Sequence, residues 1–139
     1  YKKALNEHNT NQNPEWIIPC HIVTQKESYE ITKALFKDNQ NRPDGIFASN
    51  DIAAAGAMMA VKELGLKIPQ DIGIVGFSNW QFSSMIDPPL SSVAQPGFEM
   101  GEKATALLLE MIEKKKEANW EAKTIVLETE LLIRKSSQK

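Results

Sequence analysis

The sequence has 139 residues, of which 42% are hydrophobic and 24% charged, the make-up of one globular domain with a core of its own. Eighteen acidic side chains against sixteen basic ones leave a net charge of -2, which argues against a nucleic-acid grip in this segment, because such surfaces are basic. Cys20 is the single cysteine, so no intrachain disulfide is possible. His8 and His21 stand apart without a Cys or acidic cluster, so neither a metal nor a cofactor is expected. No apolar run reaches the length of a membrane span, and the polar opening YKKALNEHN does not read as a signal peptide.

Tyr1 to His8 reads as the end of a helix that starts without a cap, and NTNQNPE (9–15) as a polar loop. WIIPCHIV (16–23) reads as a strand, placed at an edge or beside a bulge by Pro19. Residues 26–38 space Tyr29, Ile31, Ala34 and Leu35 as an amphipathic helix. After the loop NQNRP, the short apolar run DGIFAS (44–49) suits a buried parallel strand. A helix over 51–64 comes next and stops at Gly65, and IGIVGF (72–77) is a second buried strand. Residues 78–90 read as a loop with one helical turn, LSSVAQP (90–96) as a short strand, and 98–115 as a helix ending in Lys114, Lys115 and Lys116, where cations suit the helix dipole. KTIVLETELLIRK (123–135) reads as one or two strands. This β-α-β-α-β order predicts an α/β fold with a parallel sheet and helices on both faces.

In open parallel sheets ligands bind outside the carboxyl ends of the strands. Two predicted strand ends carry polar groups there: Ser49-Asn50-Asp51 and Ser78-Asn79. Amides and hydroxyls suit polyhydroxy ligands or nucleosides, and Phe77 and Trp80 offer apolar ring faces beside them. The bland alternatives are a helix N-cap for the first set, a turn for the second, and loop packing for Trp80. Enzyme motifs are missing: GFSNW lacks the second glycine of G-x-S-x-G, no phosphate loop occurs, and no carboxylate pair stands out. From Ile52 to Val61 the helix has no polar residue, whereas a surface helix keeps one polar face. One side is expected on the sheet and the other on a second subunit, with burial under the same chain as the alternative.

The run DGIFASNDIAAAGAMMAVKELGLKIPQDIGIVGF, continued by PPLSSVAQPGFEMGEKATALLLEMI and IVLETELLIRKSS, resembles the effector-binding domain of LacI/GalR-type transcriptional regulators over about Tyr1 to Ser137. The resemblance implies a periplasmic-binding-protein-like type I fold, mainly its second lobe. Residues 1–96 and 123–137 would form that lobe, and 97–122 a helix that in the family belongs to the first lobe. It implies a sugar-like or nucleoside-like effector, a homodimer, a cytoplasmic location without membrane contact, and operator DNA bound only through an N-terminal helix-turn-helix domain outside this chain. An extracytoplasmic sugar-binding protein for transport or chemosensing shares the fold and is the alternative. Asn50 matches an effector-binding position, as do Phe77 and Ser78 at the strand end with Asn79 beside them. Ser78 stands where the family usually has Asp. Val23 falls roughly where the family often has a stacking aromatic. Family dimer contacts near 28–38, 51–64 and 82–86 place Ala54, Met58, Val61 and Met85 at an expected subunit interface.

Overall fold

A computed structural model describes residues 1–10, 13–37, 42–114 and 122–139. Its helices are α1 (Lys2–Glu7), α2 (Gln25–Leu35), α3 (Asp51–Glu63) and α4 (Gly97–Lys114); its strands are β1 (Gly45–Phe47), β2 (Gly73–Phe77), β3 (Ser91–Ala94) and β4 (Glu130–Leu132). Single 3-10 turns occur at Pro14–Trp16 and Gln81–Ser84. The strands form one sheet in the order β1-β2-β3-β4. β1, β2 and β3 run parallel, and β4 returns antiparallel to β3. Lys115, Lys116 and most of the loop at 39–43 lie outside the described residues.

The core forms where α3 lies against β2. Ile72, Ile74 and Leu90 from the sheet meet Ala53, Ala54, Met58 and Val61 from α3, with Phe36 at the end of α2. Both ends of α3 are written in its sequence. Asn50 is in extended conformation and its side chain accepts the Ala53 N–H at 2.8 Å, an N-cap. At the other end Gly65 takes φ +74, and the Gly65 and Leu66 N–H groups return to the Lys62 and Val61 carbonyls at 3.0 and 3.1 Å. That paired return is the Schellman stop, and it favours glycine at the left-handed position.

Helix α2 packs against α3, and Gly56 makes the approach possible. A Cβ there would lie 2.1 Å from Ser28 Oγ and 2.2 Å from the Gln25 carbonyl oxygen. The polar residues of α2 at this contact turn inward on their own helix: Ser28 Oγ donates to the Gln25 carbonyl at 3.0 Å and Thr32 Oγ1 to the Ser28 carbonyl at 2.7 Å. Their hydroxyls are thereby satisfied in a buried place. Beyond the contact, Lys33 Nζ bonds Glu63 Oε1 at 2.7 Å, and Tyr29 donates to the same carboxylate.

Three expectations are overturned. No strand forms over 16–23. Asn13 caps a 3-10 turn at Pro14–Trp16, Pro19 has no N–H for a ladder, and Val23 takes φ +54, outside strand conformation. β1 is not a buried strand: among the described residues it pairs only with β2, and Phe47 is half exposed. That edge faces an apolar cavity of about 520 Å³ lined by Ile17, Ile18, Leu35, Gly45, Ile46 and Phe47, among others. Finally, Ala54, Met58 and Val61 do not face outward for a partner subunit. They are buried in the chain's own core, where they face Ile72, Ile74 and Leu90 of the sheet. Of that expected set only Met85 is exposed, at 71%.

Gly56→Ala would gain about 1 kcal/mol of helix propensity. The added carbon collides with a backbone oxygen that cannot swing aside, and overpacking of that kind costs about 1–3 kcal/mol or more. The variant is expected to melt below the wild type in a thermal unfolding scan. An equal or higher melting temperature would show that α2 and α3 do not approach this closely.

Candidate ligand-binding rim

The carboxyl ends of β1, β2 and β3 lead into 48–50, 78–80 and 95, which therefore sit along one rim of the sheet. Phe77, Ser78 and Asn79 leave β2 together, and Asn50 leads into α3 beside them. The two stretches are tied directly: the Trp80 N–H donates to Asp51 Oδ2 at 2.7 Å. Gln95 at the end of β3 joins this group, with Ser78 Oγ donating to Gln95 Oε1 at 3.2 Å. Val23 belongs to the other side of β1. It lines the edge cavity with Phe47 and Ser49, whereas Asn50, Phe77, Ser78 and Asn79 do not line it. That cavity is the space beside an unpaired strand edge, and its walls are chiefly apolar.

Each rim residue has a definite chemical use left. Asn50 spends its side-chain oxygen on the cap, so what it can present to a ligand is its amide NH2, a donor. Asn79 is turned away: its Oδ1 accepts from Arg134 Nη2 at 2.7 Å, and Arg134 Nη1 donates to the Leu90 carbonyl at 2.6 Å. Trp80 is half exposed at 52% and stands edge-on to Phe82, ring centres 6.0 Å apart at 70°. Its indole is a platform at the rim rather than filler under a loop.

The backbone around this rim is strained. Among the described residues, the non-glycine residues with positive φ are Asn9, Val23, Ser78 (φ 103) and Asn79 (φ 48). Ser78 and Asn79 come directly after β2, and Val23 directly before the cap of α2. Such conformations cost on the order of 1–3 kcal/mol each and persist only where the surroundings over-determine them. Two carboxylates supply that support, each from the first turn of a helix. Glu27 of α2 accepts the N–H groups of His21, Ile22 and Val23 at 2.7, 3.0 and 2.8 Å. Asp51 of α3 does the same for the turn at 78–80. The sequence reading missed Glu27, Ser92, Gln95 and Arg134. Glu27 was findable, since Thr24-x-x-Glu27 is a capping box, and Thr24 Oγ1 accepts the Glu27 N–H at 3.1 Å. Gln95 was findable too, as a polar residue one position past the carboxyl end of the third strand. Nothing local distinguishes Ser92 or Arg134.

The backbone N–H of His21, then those of Ile22 and Val23, hold the Glu27 carboxyl below its ordinary value. A depressed folded-state pKa means that the support is present above the ordinary glutamate value of 4.5 and is lost as the pH falls through the lowered one. Amide exchange at 21–23, corrected for intrinsic pH dependence, is expected to quicken only on that acid side. Glu27→Gln should show quick exchange at neutral pH as well. Equal protection in the variant would remove Glu27 as the anchor.

The chain is similar to several known proteins over nearly its whole length. The family of periplasmic binding protein-like domains matches residues 1–137. The ribose operon repressor of Haemophilus influenzae is 35% identical over 136 residues, which are 98% of this chain and 40% of that protein. The HTH-type transcriptional repressor PurR of Pasteurella multocida is 37% identical over 135 residues, 96% of this chain and 39% of that protein. Among solved structures, a LacI-family transcriptional regulator from Enterococcus faecium with bound ribose superimposes with a TM-score of 0.76 at 32% identity, covering 98% of this chain and 48% of that one. The chain thus spans about 40% of the length of the curated relatives it matches.

Proposed function

Because this chain belongs to the family of periplasmic binding protein-like domains, we propose that it is the effector-sensing part of a bacterial LacI-type transcriptional regulator. The observation that carries the reading is the chemistry of the rim. Asn50, Ser78 and Gln95 offer uncharged amide and hydroxyl groups beside the exposed indole of Trp80. The one carboxylate at its centre, Asp51, is wholly buried and bonded inward. Such a surface suits a neutral polyhydroxylated molecule, a sugar or a nucleoside-like metabolite, whose hydroxyls meet amides and whose apolar face meets a ring. The similarity to repressors, one of them of a ribose operon and one regulator structure with ribose bound, supports the same class. Relatives that are repressors also favour a binding role over an enzymatic one.

In this reading residues 1–96 and 123–137 form one lobe of the sensor and 97–122 belong to the other. The state of α4 supports that division: it buries no residue, and Phe98 is 82% exposed with Leu108, Leu109 and Ile112 also uncovered. Operator DNA would be bound by a domain outside this chain, in the cytoplasm. A homodimer would use exposed groups such as Met85 and Met59 rather than the buried residues of α3.

The Asn50 side chain separates capping from binding. Asp is as good an N-cap as Asn, and its charge suits a helix N-terminus, but it lacks the amide donor. Asn50→Asp is therefore expected to melt like the wild type yet to lose effector binding. Asn50→Ala should lose both, the cap being worth about 0.5–2 kcal/mol. The measurement is a thermal-shift series on the longest natural chain carrying this sequence, with D-ribose, disaccharides and adenosine. A ligand at about 100 times its Kd stabilises by about 2.7 kcal/mol. No shift with any of them would overturn the ligand class, and a full shift in Asn50→Asp would remove Asn50 from the site.

A further inference from the structure

The Asp51 carboxylate has no part in capping, which Asn50 performs, and it cannot reach a ligand, being fully buried. It nevertheless collects three donors from two other parts of the chain. Oδ2 accepts the Trp80 N–H at 2.7 Å and the Ser83 hydroxyl at 2.6 Å. Oδ1 accepts the Ser92 hydroxyl at 2.6 Å, and the Ser92 oxygen in turn accepts the Asn79 N–H at 3.0 Å. The two amides that define the turn after β2, those of Asn79 and Trp80, are thus both held by Asp51, one directly and one through Ser92.

The surroundings are shaped to this carboxylate. It rests on the backbone of β2 at Gly76, where a Cβ would lie 2.2 Å from Oδ1 and 3.2 Å from Cγ. Gly76 is paired with Ser92 across the β2–β3 ladder, which brings the serine hydroxyl over the same spot. Ser78 and Asn79, the two residues in left-handed conformation, lie between Gly76 and Trp80. Without a partner for the Asn79 and Trp80 amides, nothing in their own side chains favours φ values of 103 and 48 in succession, although a single Asn tolerates such a conformation.

We infer that Asp51 is a positioning residue of the ligand rim: through Trp80 and the Ser92 bridge it fixes the left-handed turn at Ser78 and Asn79. That turn aims the Ser78 hydroxyl at Gln95, turns the Asn79 side chain to Arg134, and leaves the Trp80 indole outward. The ligand consequence rests on the reading of this rim as an effector site. The conformational consequence does not.

The test uses two variants of the longest natural chain carrying this sequence. Ser92→Ala removes the bridge, that is, the acceptor for the Asn79 N–H and one of the three donors to Asp51, and leaves the Trp80 and Ser83 bonds in place. Asp51→Asn keeps the size but sets an NH2 group against one or both donors. Hydrogen–deuterium exchange is read on the peptide covering residues 77–82, with the peptide covering 51–61 as the control for an intact fold. D-ribose affinity is read by calorimetry. In Ser92→Ala the 77–82 peptide should exchange faster, by about tenfold for the lost hydrogen bond on the Asn79 amide, with 51–61 unchanged. Ribose affinity should fall by a similar factor. If 77–82 exchanges as in the wild type in both variants, the inference is wrong. If the turn loosens while ribose affinity stays unchanged, its role at the ligand site is wrong. If the wild type does not bind ribose, the choice of ligand fails, and the exchange comparison alone decides whether Asp51 holds the turn. Should Asp51→Asn fail to fold, Ser92→Ala still decides.

Discussion

A buried carboxylate sets the terms for this molecule. Taking an acidic side chain fully out of water is unfavourable unless its oxygens are hydrogen bonded. Asp51 meets that demand with the Trp80 N–H and the hydroxyls of Ser83 and Ser92, aided by its place in the first turn of α3, where negative charge is favoured. Each donor constrains a different element. Trp80 fixes the turn after β2, Ser83 the 3-10 turn next to it, and Ser92 the middle of β3. Gly76 is forced by the same group, since a methyl there would overlap it. A second buried cluster ties the starts of β2 and β3 to the C-terminal stretch. Ser136 Oγ accepts the Ser91 N–H at 2.8 Å and donates to the Ile74 carbonyl at 2.6 Å. The C-terminal stretch is thereby pinned between two strands that are sequence-distant from it.

These two clusters explain why part of the architecture could be read from the sequence and part could not. Local signals carried the helix ends. Asn50 before an apolar run and Gly65 after it both act as the pattern requires. The parallel order of β1, β2 and β3 came from alternation with helices. What stayed hidden depends on what lies opposite. WIIPCHIV has the composition of a strand, but a strand needs a ladder partner, and Pro19 with a left-handed Val23 gives the segment another path. The apolar α3 announced burial on two sides without naming the second cover. At Gly56 the cover is α2 of the same chain. Ser91, Ser92 and Ser136 look like surface residues in a sequence and are fully buried. Only their hydrogen bonds to Asp51, Arg134 and the β2 backbone justify the burial.

The rim obeys the same division. Asn50 was legible as a ligand contact or a cap. The geometry assigns its oxygen to the cap and leaves its amide hydrogens over, so the cap does not consume the group that a ligand contact would use. Asn79 looked equivalent in the sequence, yet Arg134, more than fifty residues later, takes its oxygen. Val23 is separated from the others by β1 and belongs to the edge cavity. Thus the rim is narrower than the set of polar residues at strand ends, and Gln95 enters it from a strand whose end carried no motif.

Asp51 also bears on how such a rim could report occupancy. A coupling between sites requires an element with two arrangements that both sites bias. The turn at 78–80 is held in a strained conformation by bonds to the first residue of α3, so it cannot relax while those bonds and the position of α3 both persist. Helix α3 is in turn locked against α2 at Gly56 and against the sheet at Ile74. Displacement of the turn must therefore either break the Asp51 bonds locally or carry α3 and α2 with it as a unit. A ligand that only fills the rim would do neither. A ligand whose hydroxyls compete for the Ser78 or Gln95 groups acts on the turn itself, the one part of the rim whose conformation is set from within the core.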